Sequence, residues 1–274
     1  MPRFSGQVAL VTGGARGMGR SHAVALAQHG ADVAILDVAR QIDGPAYPLA
    51  TPEDLETTRT LVEAEGARCL LIQADVRDRE GVDAGVRRTL EAFGRLDVLV
   101  ANAGIACYGS AADLDPEAFD AVVTTNLTGV WNCCRAVLPH MVSRNYGRLV
   151  LISSGIIKSP MPNTVAYAAA KHGVVGIMRT IALEYVAQGI TANVVAPYLV
   201  DTPIIQNEAT RKLFVPEKPD PTYEDFRQRA TEQSLNGVPW LDPAAISRAG
   251  LFLASPDASD ITGTVLDVAG GSRR

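Results

Sequence analysis

Short apolar runs alternate along the chain with longer stretches whose apolar residues recur at helical spacing. QVALVT (7–12) leads to GMGRSHAVALAQHG (17–30), then DVAILD (32–37), PEDLETTRTLVEAEG (52–66) and RCLLIQAD (68–75). Continuous Val/Ile/Leu runs read as strands buried on both faces, and their alternation with helices predicts a parallel sheet covered on both sides. LDVLVANAG (96–104), YGRLVLISS (146–154) and ITANVVAP (190–197) continue the rhythm, and TVLDVAGG (264–271) supplies a seventh strand. The expected fold is α/β, a single doubly wound, Rossmann-type domain over 1–274. Thr51-Pro52, Asp115-Pro116 and Asp242-Pro243 mark helix starts, each setting a side-chain acceptor at the N-cap and a proline at the first helical position.

Two stretches break the rhythm. ARQIDGPAYPLA forms an insertion at about 38–52, longer than the usual connection from a strand to a helix. The region at about 202–240 carries Pro203, Pro216, Pro219, Pro221 and Pro239, and its length suggests a binding loop or lid.

Composition narrows the function classes. The 274 residues are 47% hydrophobic and 20% charged, enough for a large core. A net charge of −5 with scattered basic residues excludes the positive field that a nucleic acid or an anionic membrane would need. Cys69, Cys107, Cys133 and Cys134 show neither CxxC nor Cys/His spacing, so reduced, packed thiols are expected, with no metal. His22, His29 and His140 have no partner spacing for one, and His172 reads as a partly exposed helix residue. The N-terminal stretch reaches glycine before any signal-length apolar run, so the cytoplasm is the expected location.

The first strand runs into TGGARGMG, with Gly13, Gly17 and Gly19 at the turn and Arg16 and Met18 between them. Glycines there let the backbone approach a pyrophosphate held by the helix N-terminus, although the spacing is TGxxxGxG rather than GxGxxG. Asp37, 18 residues after Gly19, stands where a carboxylate binds the adenosine ribose hydroxyls and repels a 2′-phosphate. NAD is therefore expected over NADP, with Arg16 as the counter-signal because a guanidinium can meet that phosphate. Tyr167 and Lys171 lie four apart, hence on one helix face, and a neighbouring ammonium favours the phenolate of a tyrosine. Ser154 lies 13 residues upstream of Tyr167 at a strand end.

Jointly, TGGARGMG, Asp75-Val76, ANAG at 101–104, Asn126 in TTNLTG, Ser154 in LISSG and the Tyr167/Lys171 pair resemble the short-chain dehydrogenase/reductase family over nearly the whole chain. The resemblance implies a catalytic tetrad of Asn126, Ser154, Tyr167 and Lys171, with Tyr167 as general acid/base in hydride transfer and Lys171 and Asn126 relaying the proton to solvent. It places Asp75 and Val76 along the adenine, Asn102, Ala103 and Gly104 beneath the cofactor, and Thr202 against the nicotinamide with the backbone near Val200 and Pro197. Tyr167 and Lys171 also contact the cofactor in that family. Tyr198 stands where the family usually has glycine. Ile156, Met161, Tyr198 and Leu199 offer an apolar substrate pocket, so the expected substrate is a hydrophobic secondary alcohol or its ketone.

The insertion, with the long 202–240 region, is similar to the actinobacterial subgroup associated with the redox peptide mycofactocin, which includes carveol dehydrogenases. That resemblance implies a terpenoid, carveol-like substrate, an insertion folded over the adenosine half, firmly retained NAD and an external redox carrier such as mycofactocin. The family also implies a homotetramer. A ketoacyl or polyol reductase with freely exchanging cofactor, and an NAD-binding regulator without chemistry, are the competing readings.

Overall fold

The computed structural model describes residues 3–272; the first two and last two positions of the expected 1–274 domain lie outside the described residues. Strands β1 (Val8–Thr12), β2 (Asp32–Asp37), β3 (Cys69–Gln73), β4 (Val98–Ala101), β5 (Gly147–Ile152), β6 (Ile190–Pro197) and β7 (Val265–Val268) form one sheet in the order 3-2-1-4-5-6-7. Every pairing is parallel, with Val8 opposite Asp32 and Leu99 opposite Leu149. The expected seven-stranded sheet is thus observed. β1, β4, β5 and β6 are buried along their whole length, which is why they read as unbroken apolar runs.

Helices α1 (Gly17–Gln28), α2 (Pro52–Ala64) and α9 (Pro243–Ala254) cover one face over a core that includes Leu26, Ile35 and Ile246. Helices α3 (Arg79–Phe93), α5 (Gly129–Ser143) and α6 (Val165–Tyr185) cover the other, over Leu99, Met141, Leu149 and Met178. Thr51 makes a reciprocal cap with Asp54 at α2, and Asp242 accepts from Ala244 N at α9. Asp115 precedes Pro116 of α4 (Pro116–Val123) without a side-chain cap bond, so proline alone marks that start. A π-helical turn, Thr124–Thr128, joins α4 to α5 and contains Asn126. No helix among the described residues is long and apolar enough to cross a membrane.

Both long departures from the rhythm are folded. The 202–240 region contains α7 (Glu208–Phe214) and α8 (Tyr223–Glu232), capped by Asn207 and Thr222. They close on their own core of Phe214, Val215, Phe226 and Ala230, with Trp240 5.5 Å from the Phe226 ring. In the 38–52 strap, Tyr47 is buried, and Ile42 and Leu49 pack with Ile105, Val122 and Tyr167.

His22 on α1 is fully buried, has no hydrogen-bond partner on either ring nitrogen, and is pressed against α9, where a Cβ on Gly250 would stand 2.9 Å from its Cε1. Burial lowers its pKa from 6.5 to about 4. Between those values the unfolded chain binds a proton that the folded chain does not, so stability is complete above the upper value and falls as pH drops through the window. At about 1.4 kcal/mol per pH unit, this histidine removes on the order of 3 kcal/mol. Urea melts near neutral pH and near the lower value are expected to show that extra loss in the wild type and not in His22→Leu; equal losses would contradict it.

Candidate functional site

The strand order reverses between β1 and β4, so the connections after them leave toward opposite faces and a cleft opens at the carboxyl ends of the sheet. Gly13, Arg16, Gly17 and Met18 line one end; Asn102, Ala103 and Gly104 form the floor; Ser154, Tyr167 and Lys171 stand at the other end. Asp37, Asp75, Val76, Pro197, Val200 and Thr202 also line it. The sequence had separated these residues by up to 189 positions.

The glycine turn is shaped by steric necessity at two positions. Gly17 has φ +56, and a Cβ there would also meet Thr202 Cγ2 at 3.2 Å. At Gly19 a Cβ would stand 2.0 Å from Gly13 O and 2.8 Å from Asn102 Nδ2. Gly19 is therefore the packing residue that lets α1 press onto the turn, and the leading N–H groups of α1, unpaired within the helix, open on the cleft. Thr12, absent from the predicted set, ties this turn to the floor: its Oγ1 accepts from Asn102 N and Ala103 N, both at 3.1 Å. Asn102 Nδ2 in turn donates to Thr12 O at 3.0 Å and Gly13 O at 3.1 Å. A hydroxyl on the last residue of β1 was the available signal.

Asp37 ends β2 and is nearly buried; its oxygens accept from Ala39 N and Ala15 N at 3.0 Å each. Burial raises its carboxyl above the ordinary value, while those two bonds and the Arg16 charge oppose the rise. Arg16 lines the cleft on the same side, and its Nη2 donates to Pro48 O of the strap at 2.5 Å. Asp75 is partly buried, which disfavours its charge, but bonds to Arg77 outweigh this and hold its carboxyl below the usual range. Val76 is fixed by Asn132, whose Nδ2 donates to Val76 O at 2.9 Å, and by Gly129, where a Cβ would stand 2.6 Å from Val76 Cγ2. Asn132 and Gly129 gave no sequence signal, since both lie inside an ordinary helical pattern.

At the opposite end, Ser154 and Tyr167 both line the cleft, and Ser154 lies near enough to lower the Tyr167 phenol's pKa. Lys171 is buried, and its Nζ donates to Ile152 O at 2.9 Å and lies 5.6 Å from the centre of the Tyr167 ring. Asn126 is wholly buried; its Oδ1 accepts from Ile105 N and its Nδ2 donates to Ile105 O, both at 2.8 Å. A Cβ on Gly104 would stand 3.3 Å from Asn126 Oδ1 and 3.6 Å from Lys171 Nζ, so these two groups converge beside the floor. The four predicted catalytic residues are thus brought together.

Their electrostatics differ from the sequence expectation. Burial, with the nearby Tyr108 phenol, pushes Tyr167 up to about 12 against the lowering effect of Ser154. Burial also lowers Lys171 to about 8. The Lys171 ammonium, engaged by the Ile152 carbonyl, does not overcome the burial of Tyr167. The resting pair is a neutral phenol beside a cation that keeps its charge at neutral pH.

Of the residues predicted to line a substrate pocket, Tyr198 is in the cleft wall. Leu199 and Met161 instead pack into the core of the 202–240 lid, drawn there by Phe214 and Phe226, and Ile156 is buried beside Ser154. The apolar wall comes from Ile42, Tyr47 and Leu49 of the insertion, Ile204 and Ile205 of the lid, and Ile105 beyond the floor. Ile42, Tyr47 and Leu49 stand out in the sequence as apolar residues of the insertion, whereas Ile105, Ile204 and Ile205 lie in irregular segments with no periodicity to mark them.

The residues present fit a dinucleotide. One end offers a helix N-terminus and a carboxylate, and the floor holds a buried acceptor without a protein partner, Asn102 Oδ1. The other end offers a phenol, a hydroxyl and an ammonium.

Comparisons with known proteins agree with this geometry. Residues 7–213 match the family model described as short chain dehydrogenase. A (-)-trans-carveol dehydrogenase of Rhodococcus erythropolis is 42% identical over 274 residues, covering 99% of each chain. The crystal structure of a carveol dehydrogenase from Mycobacterium avium in complex with NAD superposes with a TM-score of 0.96 at 41% identity, covering 99% of each chain. A short chain dehydrogenase from Mycobacterium paratuberculosis bound to NAD gives 0.89 at 32% identity over 98% of each chain. The extent of these matches, together with a glycine turn and a Ser/Tyr/Lys group at the two ends of one cleft, shows that the chain belongs to the short chain dehydrogenase family.

Proposed function

We propose that the protein is an NAD-dependent dehydrogenase that interconverts a hydrophobic secondary alcohol, carveol-like in size and polarity, with its ketone. The observation that carries this reading is the meeting of Ser154, Tyr167 and Lys171 at one end of a cleft whose other end is a glycine turn facing Asp37. When bound, NAD supplies the hydride acceptor and, in its oxidised form, a positive ring. The side chains manage the oxygen. Ser154 and Tyr167, which line the same end of the cleft, hold the substrate oxygen between them, and Tyr167 takes its proton in oxidation or returns it in reduction. Lys171 places a cation beside the phenol in a desolvated site, where it opposes the effect of burial. Asn126 fixes Ile105 and hence the cleft floor, so its contribution is to keep Gly104 and Lys171 in register.

The apolar wall favours a hydrophobic substrate over a polyol or a carrier-linked ketoacyl group, and the intact catalytic group speaks against a regulator without chemistry. Tyr47 and Arg16 hold the strap against the cleft, which supports slow release of NAD and re-oxidation in place by an external carrier such as mycofactocin. Exposed Trp131 on α5 and Leu183 on α6, and the half-buried edge strand β7, suit the contacts of a homotetramer, which light scattering would test.

Purified protein is expected to oxidise carveol with free NAD, with an artificial electron acceptor, or with both. Turnover confined to the artificial acceptor supports retention, and no turnover with either refutes the alcohol reading. Asp37 supplies a second test. Replacing it with Ala removes the charge that faces the ribose, so the preference for NAD over NADP is expected to fall roughly 10- to 100-fold, the range of a charged hydrogen bond. Binding isotherms for the two cofactors check it, and an unchanged ratio would contradict the role assigned to Asp37.

A further inference from the structure

Ile105 to Gly109 follow the cleft floor, and within this short segment each of four residues is fastened to a different part of the molecule. Ile105 is clamped through its N–H and C=O by Asn126. Ala106 N donates to Tyr47 Oη of the strap at 3.1 Å. Tyr108 Oη lies 3.2 Å from Thr210 Oγ1 on α7, the first helix of the lid. Gly109 N donates to Asn163 O at 3.0 Å, and Gly109 bridges Thr164, three residues before Tyr167.

The two tyrosine bonds have defined directions. Thr210 Oγ1 contacts Ile204 O at 3.2 Å, and a hydroxyl has one proton, so with that proton on Ile204 the Tyr108 phenol is the donor. This makes a chain from Tyr108 through Thr210 to Ile204, a residue of the cleft wall. Tyr47 Oη accepts from the backbone, while Gln41 and Arg16 tie the neighbouring Leu49 and Pro48. Burial raises both phenols above the ordinary tyrosine value, so they remain neutral bonding groups at working pH and take no part in proton transfer.

We propose that residues 105–109 couple the two covers of the cleft: Tyr47 fastens the strap over the cofactor, Tyr108 fastens the lid over the substrate, and each cover stabilises the other through the segment they share. Tyr47 and Tyr108 are then positioning residues. The physical basis is distance, because Ala106 and Tyr108 are two residues apart, so a shift of one anchor cannot be absorbed before it reaches the other. Coupling of this kind is reciprocal: what loosens the lid must also loosen the cofactor. The proposal rests on the dehydrogenase reading for the identity of the two ligands.

The test measures NADH release by loss of bound-cofactor fluorescence, and kcat and KM for carveol, in the wild type, Tyr47→Phe, Tyr108→Phe, Thr210→Val and the double tyrosine variant. Loss of one neutral hydrogen bond corresponds to about a threefold to tenfold change. Tyr108→Phe is expected to raise the carveol KM by that factor with kcat within about twofold, the signature of lost binding rather than lost chemistry. It is also expected to speed NADH release about threefold although its bond is to the lid, and Thr210→Val, which cuts the bond from the other side, should reproduce both effects. Tyr47→Phe should speed release about tenfold, and the double variant should fall short of the product of the single effects. Release at the wild-type rate in both Tyr108→Phe and Thr210→Val, or effects that simply multiply, would overturn the coupling. A wild type that binds NADH but oxidises no carveol would sink the alcohol reading, while the release rates would still decide the coupling.

Discussion

Tyr167→Phe is expected to lose roughly 10²- to 10⁴-fold in alcohol turnover, the range contributed by a positioned acid/base, while binding NAD as tightly as the wild type. The phenol lies at the carboxyl end of the sheet because α6 is held there by apolar packing of Val174, Val175 and Met178, none of which depends on the hydroxyl. Its ring packs in the cluster of Ile105, Val122 and Ala166, and phenylalanine keeps that packing. The oxygen is the part whose protonation responds to Ser154. Removing it therefore deletes the proton route and leaves the cleft standing. Steady-state rates paired with NAD titration check the outcome, and a variant with near-wild-type turnover would refute the role of Tyr167.

Gly19→Ala is expected to abolish cofactor binding at useful concentrations, with an affinity loss of at least about 100-fold, and to destabilise the fold by about 1–3 kcal/mol, as overpacking in a tight site does. The added Cβ would stand 2.0 Å from Gly13 O and 2.7 Å from Gly13 C, both backbone atoms. Neither can move without displacing the turn itself. Gly176→Ala on α6 is the contrasting control, because no atom stands within 4 Å of the added Cβ. Calorimetric titration with NAD and a thermal melt on each variant decide the matter. Gly19→Ala binding NAD like the wild type would mean that α1 is not pressed on the turn as described.

The sheet was legible because its strands are buried on both faces, so burial wrote itself into the sequence as unbroken apolar runs such as VALVT and ITANVVAP. The glycine turn, Asp37 and the Tyr167/Lys171 pair were legible because each rests on local spacing. Two kinds of feature were not. Contacts made by an isolated residue across the chain, such as Thr12 with Asn102 or Tyr108 with Thr210, leave no periodic trace. Competition between effects at one site is also invisible: the spacing of Tyr167 and Lys171 suggested a lowered phenol, whereas burial, which only the fold determines, raises it. Leu199 and Met161 join the lid's own aromatic core for the same reason, since its rings lie 15 to 41 positions after Leu199 and 53 to 79 after Met161.

The central claim is that Tyr167 exchanges the proton of the substrate oxygen beside a bound nicotinamide, and the pH dependence of the two reaction directions tests it most directly. Oxidation needs the phenolate and reduction the phenol, so carveol oxidation should accelerate as pH rises and reduction of its ketone should slow, with both trends absent from the residual activity of Tyr167→Phe. Profiles that run in the same direction, or that survive intact in Tyr167→Phe, would contradict the account.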